Sequence, residues 1–261
     1  MLHGFTALTS EQASVARLVL AEEAAQRDHV VVYLSGAHAY GFPSPDSDLD
    51  LKAIHLARTE SLLGLRPPTL TYDRMGFVQG IEIDYTSNEL GLALAGILKG
   101  NGNFLERVLG ACTVLTSPLH AELLPLVQRS LSRRVHAHYR GFATSQQRAL
   151  TGSPTVKKLL YVLRTTLTGT HLLRTGRLIT DVTELLDEYG HAEARELVQA
   201  KLRGERTALT ESQRDRWQGS LAQAFATLDA AEQASPLPAE PAPADIAAIE
   251  HWLLATRRAR I

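Results

Sequence analysis

Two aspartates separated by one residue, in the run Asp48-Leu49-Asp50-Leu51, are the side chains of this sequence best suited to chemistry. On a strand, successive side chains point to opposite faces, so Asp48 and Asp50 share one face about 7 Å apart while Leu49 and Leu51 turn to the core. Carboxylates held that way repel each other until a cation joins them. Oxygen-only donors suit Mg²⁺, which is commonly held by one or two carboxylates, water and substrate phosphates, and Mn²⁺ suits the same donors. Ahead of the pair stands Ser35-Gly36-Ala37-His38-Ala39-Tyr40-Gly41. Gly36 and Gly41 carry no side chain to keep backbone N–H groups away from a triphosphate, which makes Ser35, Gly36, Ala37 and His38 the expected nucleotide cradle.

The elements that must position these residues follow from local patterns. Thr9 and Gln12 form an expected capping box before an amphipathic helix over residues 11–27. Val30 to Leu34 is a β-branched run, and Leu49 to Leu56 alternates, so strand, Gly- and Pro-rich turn, strand is the expected order. Thr69 to Tyr72 and Phe77 to Tyr85 read as a hairpin turning at Asp73 to Gly76, and these four runs would make one small mixed sheet. From Ser87 onward the apolar period becomes helical, through Glu89 to Lys99, Leu119 to Ser132, Val135 to Leu150 and Thr155 to Thr175. A Pro- and Ala-rich linker at 233–244 precedes a last short helix from Asp245 to about Arg258. The expected class is α+β, with a mixed-sheet domain at 1–115 and a helical domain at 116–261.

Composition narrows the setting. The 261 residues are 44% hydrophobic, enough for a real core. Cys112 is the lone cysteine, which excludes an internal disulfide and a multi-cysteine zinc site and makes the cytoplasm the expected compartment. No apolar run is long enough for a membrane span, so no membrane partner is expected. A net charge of −1 argues neither for nor against nucleic acid. Its distribution says more: between Glu122 and Asp181 there is no acidic residue, while ten Lys and Arg occur there, among them Arg133 and Arg134. His136 and His138 in that interval read as a helix surface.

At these residues the sequence resembles the polymerase β-type nucleotidyltransferases, whose signature is an apolar strand, Gly followed by Gly or Ser, a spacer, and Asp-apolar-Asp. Here that is Gly36, Ala37, ten residues, then Asp48-Leu49-Asp50-Leu51. Residues 35–55, Lys99-Gly-Asn-Gly-Asn-Phe-Leu-Glu106 and Val156 to Arg164 are more closely similar to the RlaP-type branch, associated with RNA repair. The resemblance implies a mixed-sheet nucleotidyltransferase fold with a following helical domain at 116–261 that closes over the site. It also implies Asp48 and Asp50 as catalytic metal ligands, an NTP substrate, and a third carboxylate that helps hold the metal beneath the attacking hydroxyl and serves as its base. Asp84 is the candidate, on an alternating run that also presents Glu82 as a competitor. Lys158 and Tyr161, three apart on one helical face, are implied to meet phosphate and base or sugar, and Arg164 continues that face toward nucleic acid. Ala37 departs from the pattern, since Ser at that place would offer a hydroxyl to a phosphate, and Ser35 is the residue placed to compensate.

The expected activity is metal-dependent transfer of a nucleoside monophosphate from an NTP to an acceptor hydroxyl, an RNA end in repair. Transfer to a protein or small molecule, and a non-catalytic RNA- or nucleotide-binding module, stand as alternatives. Neither the NTP nor the oligomeric state is set by these residues.

Overall fold

The computed structural model describes residues 3–66, 68–203 and 208–260. In chain order its main elements are α1 (Ser10–Ala24), β1 (Asp28–Leu34), α2 (Gly36–Tyr40), β2 (Leu49–Leu56), α3 (Thr59–Leu63), β3 (Thr71–Val78), β4 (Ile81–Glu89), α4 (Leu90–Leu98), α5 (Gly102–Leu109) and β5 (Thr113–Thr116). The helices α6 (Pro118–Arg129), α7 (Val135–Gly152), α8 (Val156–Thr175), α9 (Arg195–Leu202), α10 (Glu211–Gln233) and α11 (Pro243–Arg258) follow. No helix among the described residues is long and apolar enough to cross a membrane.

The chain forms two compact units, one of Met1–Gly36, Asp48–Leu131 and Pro241–Ile261, the other of Ala37–Ser47 and Ser132–Glu240. A single cut at residue 115 therefore does not describe them. Side-chain bonds give the reason. In the first unit α11 is tied down by Arg257 to Glu89 at 2.8 Å, by the Thr59 hydroxyl donating to the Arg257 carbonyl, and by the Trp252 indole donating to Glu122. In the second, Ala37–Ser47 is held by the buried Lys201 ammonium, which donates to Ser44 Oγ at 2.7 Å, and by Thr180, whose hydroxyl donates to the Ala39 carbonyl.

In the sheet unit the strand order is β3-β4-β2-β1-β5, with β2 and β4 parallel and every other pair antiparallel. The period-2 pattern is realised over residues 49–53 of β2 and 83–87 of β4, after which both strands are buried on both faces. Leu49, Leu51, Ala53, Ile83 and Tyr85 lie beneath α1 with Val15, Ala16, Val19 and Leu20, while Asp50, Lys52, Asp84 and Thr86 stay only half-buried on the other face. Each large aliphatic side chain removed from water in this way contributes about 1.5–3 kcal/mol. The Thr9–Gln12 capping box is present and starts α1. The hairpin differs from the expected one: β3 runs through Asp73 to Gly76, and the chain reverses at Gln79-Gly80, both at positive φ. Two consecutive residues at positive φ match the twist of the flanking strands, so the turn sits where the backbone can adopt it. Strand β5 was not foreseen, because four residues carry too little periodicity to register.

The helical unit is built on α7, α8 and α10. α8 is buried nearly all round from Val156 to Leu173, starts from the Thr155 cap and ends at Gly176 in the left-handed conformation. The linker after α10 is shorter than 233–244, since that helix runs to Gln233 and α11 begins at Pro243.

Candidate active site

The sheet unit brings two of the three expected carboxylates into one row. Asp50 of β2 stands directly beside Asp84 of β4, and Met75 of the edge strand β3 continues the row. Strands in a sheet lie about 4.8 Å apart, so the two aspartates are near neighbours on the half-buried face. Asp48 precedes β2 and is itself half-buried. Glu82, the competitor for the third position, lies one row further out, paired with Phe77 and exposed. The register therefore favours Asp84.

Between the two aspartates lies a residue the sequence reading passed over. Lys52, two positions after Asp50 on the same face, places Nζ 2.7 Å from Asp84 Oδ1 and 3.8 Å from Asp50 Oδ1. The ammonium also donates to the Asp84 carbonyl at 3.3 Å and to Thr86 Oγ1 at 3.4 Å. The same period-2 rule that put Asp48 and Asp50 on one face puts Lys52 there as well, so the signal was available.

Gly36 is built around this row. Its φ is +63°, and a Cβ there would overlap the Asp50 carboxylate. The Ser35 N–H donates to the Asp50 carbonyl at 2.8 Å, which holds the end of β1 against β2 beside the carboxylate. A residue with a side chain at 36 would push Asp50 out of its row, so this glycine is needed for the carboxylate as well as for backbone access.

Asp50 and Asp84 are hard oxygen donors already joined by a cation, the Lys52 ammonium, and that donor chemistry fits Mg²⁺ or Mn²⁺. Among the described residues, though, no group of three or more His, Cys, Asp or Glu side chains stands close enough to hold a metal. Asp48 thus reaches no shared cluster with the other two.

The helical unit holds the other expected residues. Ala37 and His38 lie on α2 and are buried, at 3% and 6% exposure. Tyr161 packs edge-on against Tyr40 and Phe42, with ring centres 5.5 and 5.7 Å away. Lys158 is half-buried, and its ammonium donates to the Ala149 carbonyl near the end of α7. Arg164 departs from expectation. At 2% exposure it lies under the Tyr40 ring, 3.6 Å from its centre, where no nucleic-acid backbone reaches it. A guanidinium on an aromatic face keeps a favourable electrostatic contact out of water, which offsets part of the cost of burying the arginine.

The acid-free interval is not acid-free in space. Arg134 pairs with Glu240 at 2.6 Å and Arg140 with Asp229 at 2.9 Å, while in the sheet unit Arg129 meets Asp245 at 3.3 Å. His136 lies between Asp229 and Glu232. His136 and His138 are both half-buried rather than on an open surface, and burial, helped by the Arg164 charge, pushes His138 down to about 4. Arg148, Arg174 and Arg177 remain exposed, and Arg133 is half-buried with its backbone N–H on the Pro238 carbonyl.

A family model described as the RNA repair pathway DNA polymerase beta family, RlaP, matches residues 13–255. The Methanocaldococcus jannaschii protein MJ0002 is 28% identical over 159 residues, 58% of this chain and 63% of that relative. The similar stretch therefore spans less than two thirds of the relative's length. A nucleotidyltransferase-like protein from Exiguobacterium sibiricum, solved by crystallography, aligns over 95% of this chain and 80% of that one, at 12% identity and a TM-score of 0.35.

Proposed function

The chain belongs to the RNA repair pathway DNA polymerase beta family, RlaP, and on that premise we propose that it is a metal-dependent nucleotidyltransferase acting on an RNA end. An acceptor hydroxyl attacks the α-phosphorus of an NTP. The new O–P bond forms as the bond to the bridging oxygen breaks, and pyrophosphate leaves with that electron pair. Asp48, Asp50 and Asp84 would hold Mg²⁺ or Mn²⁺, and Asp84, on the acceptor side, would also take the hydroxyl proton. The bound ion would neutralise charge on the phosphates and polarise the α-phosphorus. The observation that carries this reading is the Asp50–Asp84 register, two carboxylates in one row around a cation, with Gly36 shaped to admit one of them.

Labelled NTPs supplied one at a time with RNA bearing different ends test it. Label should enter RNA and pyrophosphate should appear, both stopped by a chelator and restored by Mg²⁺ or Mn²⁺. No transfer with any NTP and any end, under conditions where the protein is folded, would remove the reading.

A non-catalytic nucleotide- or RNA-binding module is the second reading, and two observations favour it: Ala37 in place of a hydroxyl residue, and the lack of a three-carboxylate cluster among the described residues. Binding of NTP or RNA without any metal-dependent pyrophosphate release would select it.

Two smaller effects belong to the helical unit. Lys158→Ala is expected to raise the NTP KM several-fold with kcat changed less, because a point charge on the triphosphate acts in the ground state as well as the transition state. Unchanged kinetics would return Lys158 to its bond with Ala149. Arg133 and Arg134 are proposed to contact the phosphate backbone, with the Arg134–Glu240 pair exposed enough to give way at little cost. Replacing both by Ala should weaken RNA binding about equally for all sequences. It should also reduce the slope of log affinity against log salt by about 1.4 for a single strand, about 0.7 per contact. An unaltered slope in a salt titration would point instead to a protein or small-molecule acceptor.

A further inference from the structure

We propose that Lys52 is a tethered counter-ion of the Asp50–Asp84 pair that an entering divalent cation displaces, so that metal arrival and release of the lysine from the carboxylates are one event. The inference rests on the transferase reading only in taking Asp50 and Asp84 as metal ligands. Four contacts carry it. Nζ lies 2.7 Å from Asp84 Oδ1 and 3.8 Å from Asp50 Oδ1, inside the space two metal-bridging carboxylates would share. A cation coordinated by those oxygens and an ammonium within hydrogen-bond reach of them compete for the same lone pairs and repel each other.

The remaining two contacts give the lysine somewhere to stay. The Asp84 carbonyl and Thr86 Oγ1 are neutral acceptors at 3.3 and 3.4 Å, and Thr86 stands directly opposite Lys52 in the register. Once the carboxylates turn to metal, the ammonium keeps these two partners. The displaced side chain is thereby kept at the margin of the site and is not lost to solvent. Lys52 is a positioning residue on this account: before metal binds it holds Asp84 and Asp50 facing each other and limits their mutual repulsion.

Mn²⁺ binding to the whole chain, without nucleotide or RNA, measured by paramagnetic resonance of the free ion, tests this alongside thermal unfolding with and without the metal. Lys52→Met should bind Mn²⁺ about fivefold more tightly than the parent, the upper range of what a partly exposed ion pair withholds. The same variant should unfold at a lower temperature without metal, and that deficit should vanish at saturating Mn²⁺, because the lysine no longer serves the carboxylates in either protein. Lys52→Arg, which keeps the charge, should restore most of the metal-free stability and the weaker metal binding. A deficit of equal size with and without metal would make Lys52 a purely structural residue. Equal Mn²⁺ affinity in parent and Lys52→Met would end the displacement idea while leaving the transferase reading intact. No Mn²⁺ binding in either protein would end the displacement idea, since nothing would then compete with the lysine, while metal-dependent label transfer from NTP decides the transferase reading separately.

Discussion

Alanine at Asp50 or at Asp84 is expected to lower nucleotidyl transfer by at least about a thousandfold, equivalent to some 4 kcal/mol of barrier, with the fold retained. Asp50→Ala removes a carboxylate that would hold the metal, and Asp84→Ala removes the group that would take the acceptor proton. Neither change empties the core, because both side chains lie on the half-buried face opposite Leu49, Leu51 and Ile83. The stability effects should differ in size. After Asp50→Ala, Lys52 keeps its 2.7 Å carboxylate partner Asp84, whereas after Asp84→Ala the carboxylate it keeps is Asp50 at 3.8 Å, beside the neutral Asp84 carbonyl and Thr86 hydroxyl. Asp84→Ala should therefore be the less stable of the two. Asp48→Ala should also abolish transfer, as the third ligand. Radiolabel incorporation together with thermal unfolding checks each variant. Near-normal transfer in Asp50→Ala or Asp84→Ala would cancel the catalytic assignment, and loss of the folded state would make the residue structural.

Gly36→Ala is expected to cost about 2–4 kcal/mol of stability and to remove most of the transfer activity. Two effects add. The residue sits at φ +63°, which an L side chain enters at a cost of about 1–2 kcal/mol, and the new Cβ would overlap the Asp50 carboxylate. Either Asp50 leaves its row beside Asp84 or the strand ends separate where the Ser35 N–H meets the Asp50 carbonyl. Gly80→Ala isolates the first effect, since that glycine has φ +80° in the hairpin turn and nothing within 4 Å of the added atom. It should lose about 1–2 kcal/mol and keep its metal binding. Chemical denaturation of both variants, followed by Mn²⁺ titration, separates the terms. If Gly36→Ala resembled Gly80→Ala in both measurements, the close approach to Asp50 would carry no functional weight.

The sequence by itself determined what depends on neighbours a few residues apart. Alternation is a property of the strand backbone, so Leu49, Leu51 and Ile83 had to be core and Asp50 and Asp84 had to face away, whatever stood opposite. The Thr9–Gln12 cap, the helical period after Ser87 and the Gly36 turn were legible for the same reason, as was membership of the family, whose resemblance is carried by three stretches each short enough to be read locally. Cross-strand partnership is not local. That Asp50 meets Asp84, 34 positions later by their numbers, was an expectation that only the parallel register of β2 and β4 turned into an address. Lys52 stood on the legible face, but its bond to Asp84 needed that same register. Charge was read least well. An interval without acidic residues suggested a basic surface, yet Asp229 and Glu240 arrive from about 90 or more positions away to pair with Arg140 and Arg134, and Arg164 is withdrawn beneath Tyr40. Coulomb interactions depend on distance in space and on burial, and a linear sequence records neither until the chain has folded.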